Sequence, residues 1–152
     1  MIRKKVINIT ERPDEDWVDL SQCAAFEVTS EEAGSPLENA LNPDAQKWVA
    51  ATPGEQIIRL TFDEPQNISK IYLLFEETAQ VRSQEFVLSW QQAGQPEWRE
   101  IVRQQFNFSP SGTTVERENF KVSLERASAL QLLIVPERSG GGHASLSQLR
   151  IG

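Results

Sequence analysis

Short runs of alternating apolar and polar residues dominate the chain, and the period of about 3.6 residues that marks an amphipathic helix is nearly absent. Turn residues interrupt these runs roughly every 8–15 positions, a spacing typical of antiparallel sandwiches and barrels. The pattern predicts nine strands, at residues 4–9, 24–29, 56–62, 68–75, 85–90, 98–103, 119–124, 130–135 and 145–151.

Side-chain composition within these runs favours a layered β-fold. Ile58, Leu60 and Phe62 alternate with other residues, as expected for a strand with one buried face, while residues 130–135 form a nearly continuous apolar run suited to a central strand. The turns carry proline and glycine, and residues 35–41 fit one helical turn with Ser35 as N-cap. We therefore expect one all-β domain over residues 1–152, an antiparallel two-sheet β-sandwich.

The charge and cysteine content indicate which binding partners and which cellular compartment fit the chain. The 152 residues include 22 acidic and 15 basic side chains, a net charge of −7, which argues against binding to nucleic acid or to an anionic membrane. The single cysteine, Cys23, cannot form an intramolecular disulfide. The basic N-terminal residues precede no long apolar segment, and no apolar run is long enough to span a membrane. These features predict a cytoplasmic protein.

Six elements, taken in order, give the chain a family resemblance from about residue 20 to residue 152. They are Val28-Thr29-Ser30, a segment at 38–48 ending in Trp48, the strand at 56–62 followed by Pro65 and Ile68, the strand at 85–89 with Trp98-Arg99-Glu100-Ile101, the run at 130–134, and the closing segment at 144–152. This order resembles the discoidin, or coagulation-factor type C, superfamily of galactose-binding-like domains. The resemblance implies a jelly roll that binds glycans, lipid head groups or proteins through loops at one end. In such families catalysis normally belongs to a neighbouring domain.

The same resemblance implies a structural Ca²⁺ site, which this sequence alters. Asn42 stands where the family has an aspartate, Pro43 where it has a glycine, and Gln148 where it has a late glutamate. Because Ca²⁺ prefers charged carboxylate ligands, two amides remove most of the expected affinity, although Asp44 could restore part of it. We expect a degenerate calcium site, no bound metal and no cofactor.

Catalytic chemistry has few candidates. His143 is the single histidine, so a Ser-His or Cys-His mechanism would have to use it, and neither Cys23 nor Ser139 has a flanking nucleophile motif. The acidic doublets are neighbours in sequence and would point to opposite faces of a strand. The sequence thus indicates a binding module rather than an enzyme.

The aromatic residues divide by expected role. The resemblance places Trp48 and Trp98 in the core, whereas Trp90, before a turn, could stack on a sugar ring. Phe106 and Phe108 share one face of a strand and could fill the core or form a docking patch.

Loops carry the remaining recognition chemistry. Arg82 and Arg138 offer forked hydrogen-bond donors, and His143 follows a run of glycines at residues 140–142. The predicted chain crosses the sandwich four times between the loops at 78–84 and 138–143, so both loops should lie at one end. The predicted ligand-binding residues are therefore Arg82, Arg138 and His143, with Trp90 ranked below them because its turn falls at the opposite end.

Three ligand classes remain open. Carbohydrate, or another hydroxyl-rich ligand, is the preferred one, and a protein partner in a cytoplasmic complex is the alternative. A third arises because residues 47–51, followed by Pro53-Gly54-Glu55, are similar to the N-terminal discoidin-like domain of the single-strand-break repair scaffold, which binds a polymerase and nicked DNA. The acidic net charge opposes the DNA part of that interpretation.

Overall fold

The computed structural model describes residues 2–3, 17–42 and 46–152, and strands predominate among them. The predicted strand at 4–9 and Asp44 lie outside the described residues. The elements are α1 (Leu20–Cys23), β1 (Ala24–Val28), α2 (Glu38–Leu41), β2 (Trp48–Val49), β3 (Gln56–Glu76), β4 (Arg82–Gln92), β5 (Trp98–Phe108), β6 (Val115–Val135), β7 (Ser145–Leu146) and β8 (Gln148–Ile151). Neither helix in this part of the chain is long and apolar enough to cross a membrane.

Two long strands, β3 and β6, organise the sandwich. They pair antiparallel from Gln56 opposite Ile134 to Glu76 opposite Val115, with register shifts between Thr61 and Lys70. Each strand was predicted as two short ones separated by a turn. Instead each strand bends where the pairing is irregular, and Pro65 lies in that interval because a proline cannot donate a hydrogen bond to the ladder.

The bend divides the strands between two layers. The first half of β3 and the second half of β6 join β1, β4 and β5 in a five-stranded sheet of order β1-β3-β6-β4-β5. The other halves pair with each other and with β8, whose residues lie opposite Ile71–Leu74 of β3. We call this second layer the three-stranded sheet. All of these pairings are antiparallel, so the predicted two-sheet β-sandwich is confirmed.

Inward-facing aromatic and aliphatic side chains join the two layers. Phe75 of β3 stacks on Phe86 of β4 with ring centroids 5.3 Å apart, and Phe86 also meets Phe120 of β6 edge to face. Trp48 is fully buried, as predicted, and its indole N–H donates to the carbonyl oxygen of Ser30 at 3.0 Å. Phe108 is buried as well, with the ring of Phe106 packed against it at 4.8 Å. These two phenylalanines therefore belong to the core.

Two short elements differ from the prediction. Strands β2 and β7, two residues each, pair Trp48 with Leu146 and are too short to leave a periodic signal. The helical turn begins after Leu37 rather than after Ser35, because the carbonyl oxygen of Ser35 accepts a hydrogen bond from the Val49 amide and so ties Ser35 to β2.

Candidate functional site

Three connections meet at one end of the sandwich, which we call the loop end: residues 50–55, 77–81 and 136–144. The amide of Arg138 donates to the carbonyl oxygen of Ser83 at 2.9 Å, which joins the segment after β6 to the start of β4. The amide of Gly54 donates to the carbonyl oxygen of Gly142 at 2.8 Å, which joins the segment after β6 to the segment before β3. The predicted clustering of the loops that carry Arg82, Arg138 and His143 is thus present in the structure.

Arg138 presents its side chain to solvent at the loop end. Its side chain is about half exposed, and Nη1 donates to Oε1 of Gln105 at 2.8 Å, while Nε lies 3.9 Å from a carboxylate oxygen of Glu85. Both partners stand on the outer face of the five-stranded sheet. These contacts fix the direction of the guanidinium, and Nη2 has no partner among the described residues.

His143 is oriented by a backbone contact. Its Nδ1 lies 2.9 Å from the carbonyl oxygen of Ala50, and since a carbonyl can only accept, Nδ1 carries the proton. Nε2 has no hydrogen-bond partner in the described part of the chain. His143 is exposed, so Nε2 is open to solvent and is the ring atom that can contact a ligand.

Arg82 occupies a different position from the one predicted. It was expected in a loop, but β4 begins at Arg82 and turns this side chain inward, where it is 5 % exposed. Its Nε donates to Glu77 at 2.8 Å, and Nη1 donates to Gln84 at 2.9 Å and to the carbonyl oxygen of Pro136 at 3.0 Å. Because its donors are committed to internal partners, Arg82 anchors the loop after β6 and does not face a ligand.

Glu137 anchors the same loop and had no sequence signal as a site residue. Its carboxylate accepts from the amide of Ser83 at 3.1 Å and from the amide of Ser139. These backbone hydrogen bonds, that of Ser83 foremost, lower the pKa of Glu137. The side chain of Glu137 therefore holds the segment 136–144 against the start of β4, so that the side chains of Arg138 and His143 project from a backbone that is held in place.

Trp90 and Trp98 exchange the roles that the sequence suggested. Trp90 is 9 % exposed and lies in the core, with the guanidinium of Arg99 5.8 Å from its ring, so it is not a stacking platform. Trp98 was expected in the core but is 38 % exposed. A β-bulge in β5 explains the exposure of Trp98: Leu88 pairs with Val102 but Ser89 pairs with Glu100, so Ile101 is the extra residue and the β5 residues before it switch face.

A buried carboxyl group lies beneath the loop end. Glu116 of β6 is 1 % exposed, Gln84 lies 3.4 Å from its Oε1, and Oε2 has no hydrogen-bond partner among the described atoms. Burial, reinforced by the neighbouring Glu118, raises the pKa of Glu116 to about 8, although Gln84 and Arg82 act in the opposite direction. Arg82 compensates little because Glu77 already neutralises it at 2.8 Å.

The expected calcium position is described only in part. Asn42 follows α2, and Gln148 begins β8 opposite Leu74. Among the described residues, no three His, Cys, Asp or Glu side chains are close enough together to hold a metal ion. The weakness of this site for Ca²⁺ stays a prediction that rests on the two amides.

Comparisons with known proteins identify the architecture. No protein-family model and no curated protein matches the sequence. A family 32 carbohydrate-binding module, CBM32-3 from a family 31 glycoside hydrolase of Clostridium perfringens, superposes with a TM-score of 0.66 and 17 % identity over 89 % of this chain and 93 % of its own. The chain has a discoidin-like fold.

Other proteins with the discoidin-like fold are equally distant in sequence. CpGH89CBM32-5 of Clostridium perfringens, determined with GalNAc-β-1,3-galactose, has a TM-score of 0.65 and 18 % identity over 89 % of this chain and 98 % of its own. A pectin-binding carbohydrate-binding module has a TM-score of 0.60 and 20 % identity over 84 % and 88 %. At these identities the similarity establishes the discoidin-like fold alone, and any ligand must be argued from this chain's own residues.

Proposed function

We propose that this chain is a non-catalytic binding module for a carbohydrate, held at the loop end by Arg138 and His143. The observation that carries the proposal is the pair of oriented, unpaired donor or acceptor atoms on one tethered segment, Nη2 of Arg138 and Nε2 of His143. A guanidinium fork suits vicinal hydroxyl groups, and an imidazole nitrogen can form a hydrogen bond with a hydroxyl.

The tethering of the segment strengthens the proposal. Arg82, Glu137 and the amide of Arg138 fasten the beginning of the segment to the start of β4, and its end is held by the amides of Gly54 and Ala50, which donate to the carbonyl oxygens of Gly142 and Ala144. A loop fixed before the ligand arrives loses little conformational entropy on binding. Two carbohydrate-binding modules with the same fold, one determined with GalNAc-β-1,3-galactose and one with galactose, support this ligand class.

The titratable groups favour binding over catalysis. Burial, with smaller contributions from Asp63 and Asp19, raises the pKa of the Cys23 thiol and so disfavours the reactive thiolate. Glu116, whose pKa is near the range of a general acid, points into the sandwich and is 1 % exposed. A substrate at the surface could not reach it without unpacking the core.

The test is calorimetric titration of the chain with galactose and with GalNAc-β-1,3-galactose. The variants are Arg138→Ala and His143→Ala, and the control is Arg117→Ala, an exposed arginine of β6 that lies opposite Leu74 on the three-stranded sheet. A hydrogen bond to a charged group contributes about 1.5–3 kcal/mol, so Arg138→Ala should weaken binding about ten- to a hundredfold. The control should bind like the wild type.

Two outcomes would contradict the proposal. Sugar affinity unchanged in the Arg138→Ala, His143→Ala double variant would show that the loop end is not the binding site. Absence of heat and of any NMR shift with both sugars, up to millimolar concentrations, would exclude carbohydrate of this class.

A further inference from the structure

We propose that the outer face of the five-stranded sheet carries a second sugar-binding site, formed by Trp98, Arg59, Gln131 and Glu27, which takes a single uncharged pyranose ring. We call it the sheet-face site. The inference deepens the proposed function, since it rests on carbohydrate being the ligand class, but it concerns residues of the sheet face other than Arg138 and His143.

The β-bulge at Ile101 creates the platform for this site. Without the extra residue, Trp98 would point inward with Phe106 and Phe108, where the core is already filled. With it, the indole lies on the outer face and remains 38 % exposed. Bulges often serve to re-aim one side chain, and an indole face presented to solvent is the group that stacks on the apolar CH surface of a sugar ring.

Arg59 lies between the indole of Trp98 and a depression at the β1 edge of the same face, a depression that Arg59 lines and Trp98 does not. Its guanidinium carbon lies 5.5 Å from the centroid of the Trp98 ring, and Nε and Nη2 donate to Oε1 of Gln131 at 3.0 and 2.8 Å. The carboxylate of Glu27 lies 3.8 Å from Nη1. Arg59 is thus held in place by three neighbours, yet its side chain is still 35 % exposed.

The depression has the dimensions and lining for one ring. It measures about 230 Å³ and is lined by Glu27, Val28, Thr29, Ile57 and Arg59. Sites for drug-sized ligands usually exceed about 300 Å³, so this one suits a smaller occupant. Ile57 supplies apolar surface, while the carboxylate and guanidinium offer an acceptor and donors to hydroxyl groups.

Charge balance on this face selects an uncharged ligand. Each arginine of the face has a carboxylate nearby: Arg59 lies 3.8 Å from Glu27, Arg103 lies 2.7 Å from Glu85 and 3.1 Å from Glu100, and Arg138 lies 3.9 Å from Glu85. The three acidic and three basic side chains of these pairs balance one another. A polyanion such as nucleic acid or an acidic peptide would gain little from such a surface, whereas a neutral polyol can use both signs in hydrogen bonds.

The experiment is a galactose titration followed by ¹H-¹⁵N NMR, which resolves the two sites in one sample. The expected result is two sets of shifted signals: amides of residues 138–143, and amides of Glu27, Ile57 and Gln131 together with the indole N–H of Trp98. The indole N–H of Trp48, which is buried and bonded to Ser30, is the internal reference. Trp98→Ala should remove the second set, weaken that site about tenfold or more, and leave the first set unchanged.

Arg59→Gln provides an independent variant that keeps a hydrogen-bonding side chain while removing the cation. Arg59→Gln should lose the second set of shifted signals, as Trp98→Ala does, whereas Arg117→Ala should keep both sets. Oligogalacturonate, an acidic sugar chain, should bind no more tightly than galactose at the sheet face.

Each other outcome is decisive. Shifts at 138–143 alone would overturn the sheet-face site and leave the proposed function standing. Shifts at the sheet face alone would support the sheet-face site and overturn the proposed site at the loop end. No shift at either place would overturn both proposals. A dimer in sedimentation velocity that Trp98→Ala dissociates would show that this face binds a second copy of the chain, and would also overturn the inference.

Discussion

Replacing the buried carboxyl group of Glu116 should change how stability depends on pH. The pKa of Glu116 is raised from 4.5 to about 8 by burial and by Glu118. Between these values the unfolded chain loses the proton and the folded chain keeps it. The folded state therefore binds more protons, and the free energy of unfolding falls as pH rises through this window.

The magnitude follows from the size of the shift. One proton contributes at most about 1.4 kcal/mol for each pH unit, which gives an upper limit of about 5 kcal/mol over the whole window. Glu116→Gln removes the titration while its amide can still donate to Glu118, so the variant should depend far less on pH and be more stable than the wild type at pH 8.

The measurement is urea unfolding at pH 5, 6, 7 and 8, followed by tryptophan fluorescence. The wild-type midpoint should fall steadily with pH, and the Glu116→Gln midpoint should fall much less. Glu125→Gln, at an exposed glutamate of the same strand, is the matched control and should keep the wild-type slope. Parallel curves for wild type and Glu116→Gln would refute the argument, because they would mean that Glu116 does not carry the proton.

Three further changes test the packing and the metal prediction. Trp48→Ala should lower the free energy of unfolding by about 3–5 kcal/mol, whereas Trp98→Ala should cost about 1 kcal/mol or less, and equal losses in urea unfolding would contradict the assigned faces. Arg82→Ala should cost about 3–5 kcal/mol, because it leaves Glu77 and the carbonyl oxygen of Pro136 without their donor; a near-neutral effect would show that this anchor is dispensable. Millimolar Ca²⁺ and excess EDTA should give melting temperatures that agree closely, and a difference of several degrees would mean that the Asn42 and Gln148 substitutions leave a working site.

The sequence predicted the class of fold because alternation of apolar residues survives in almost every strand. It also predicted that the loops carrying Arg82 and Arg138 share one end, since that argument needs only the number of crossings. The continuity of β3 and β6 was missed because the residues around Pro65 carry turn chemistry, although here they form a bend inside one strand.

The failures at individual site residues have local causes. β4 begins three residues before its predicted start, which turns Arg82 from a loop residue into the first member of an inward row. At Trp98, one bulged residue reverses the face of everything that precedes it, and no pattern of period two in a single strand reports a bulge in its pairing. Strand boundaries and pairing register, rather than the strands themselves, decided which of the candidate residues reach solvent.

Because β3 and β6 run through both layers, the sandwich has no boundary at which one sheet could open while the other stays folded. Their antiparallel ladder extends from Gln56–Ile134 in one layer to Glu76–Val115 in the other. Amide hydrogens of the two layers should then exchange with solvent through the same global opening instead of as separate cooperative units. The partners lie far apart in sequence, so closing this ladder is entropically costly, and folding should be slow and all-or-none. A ligand held at the loop end would therefore protect amides in both layers equally.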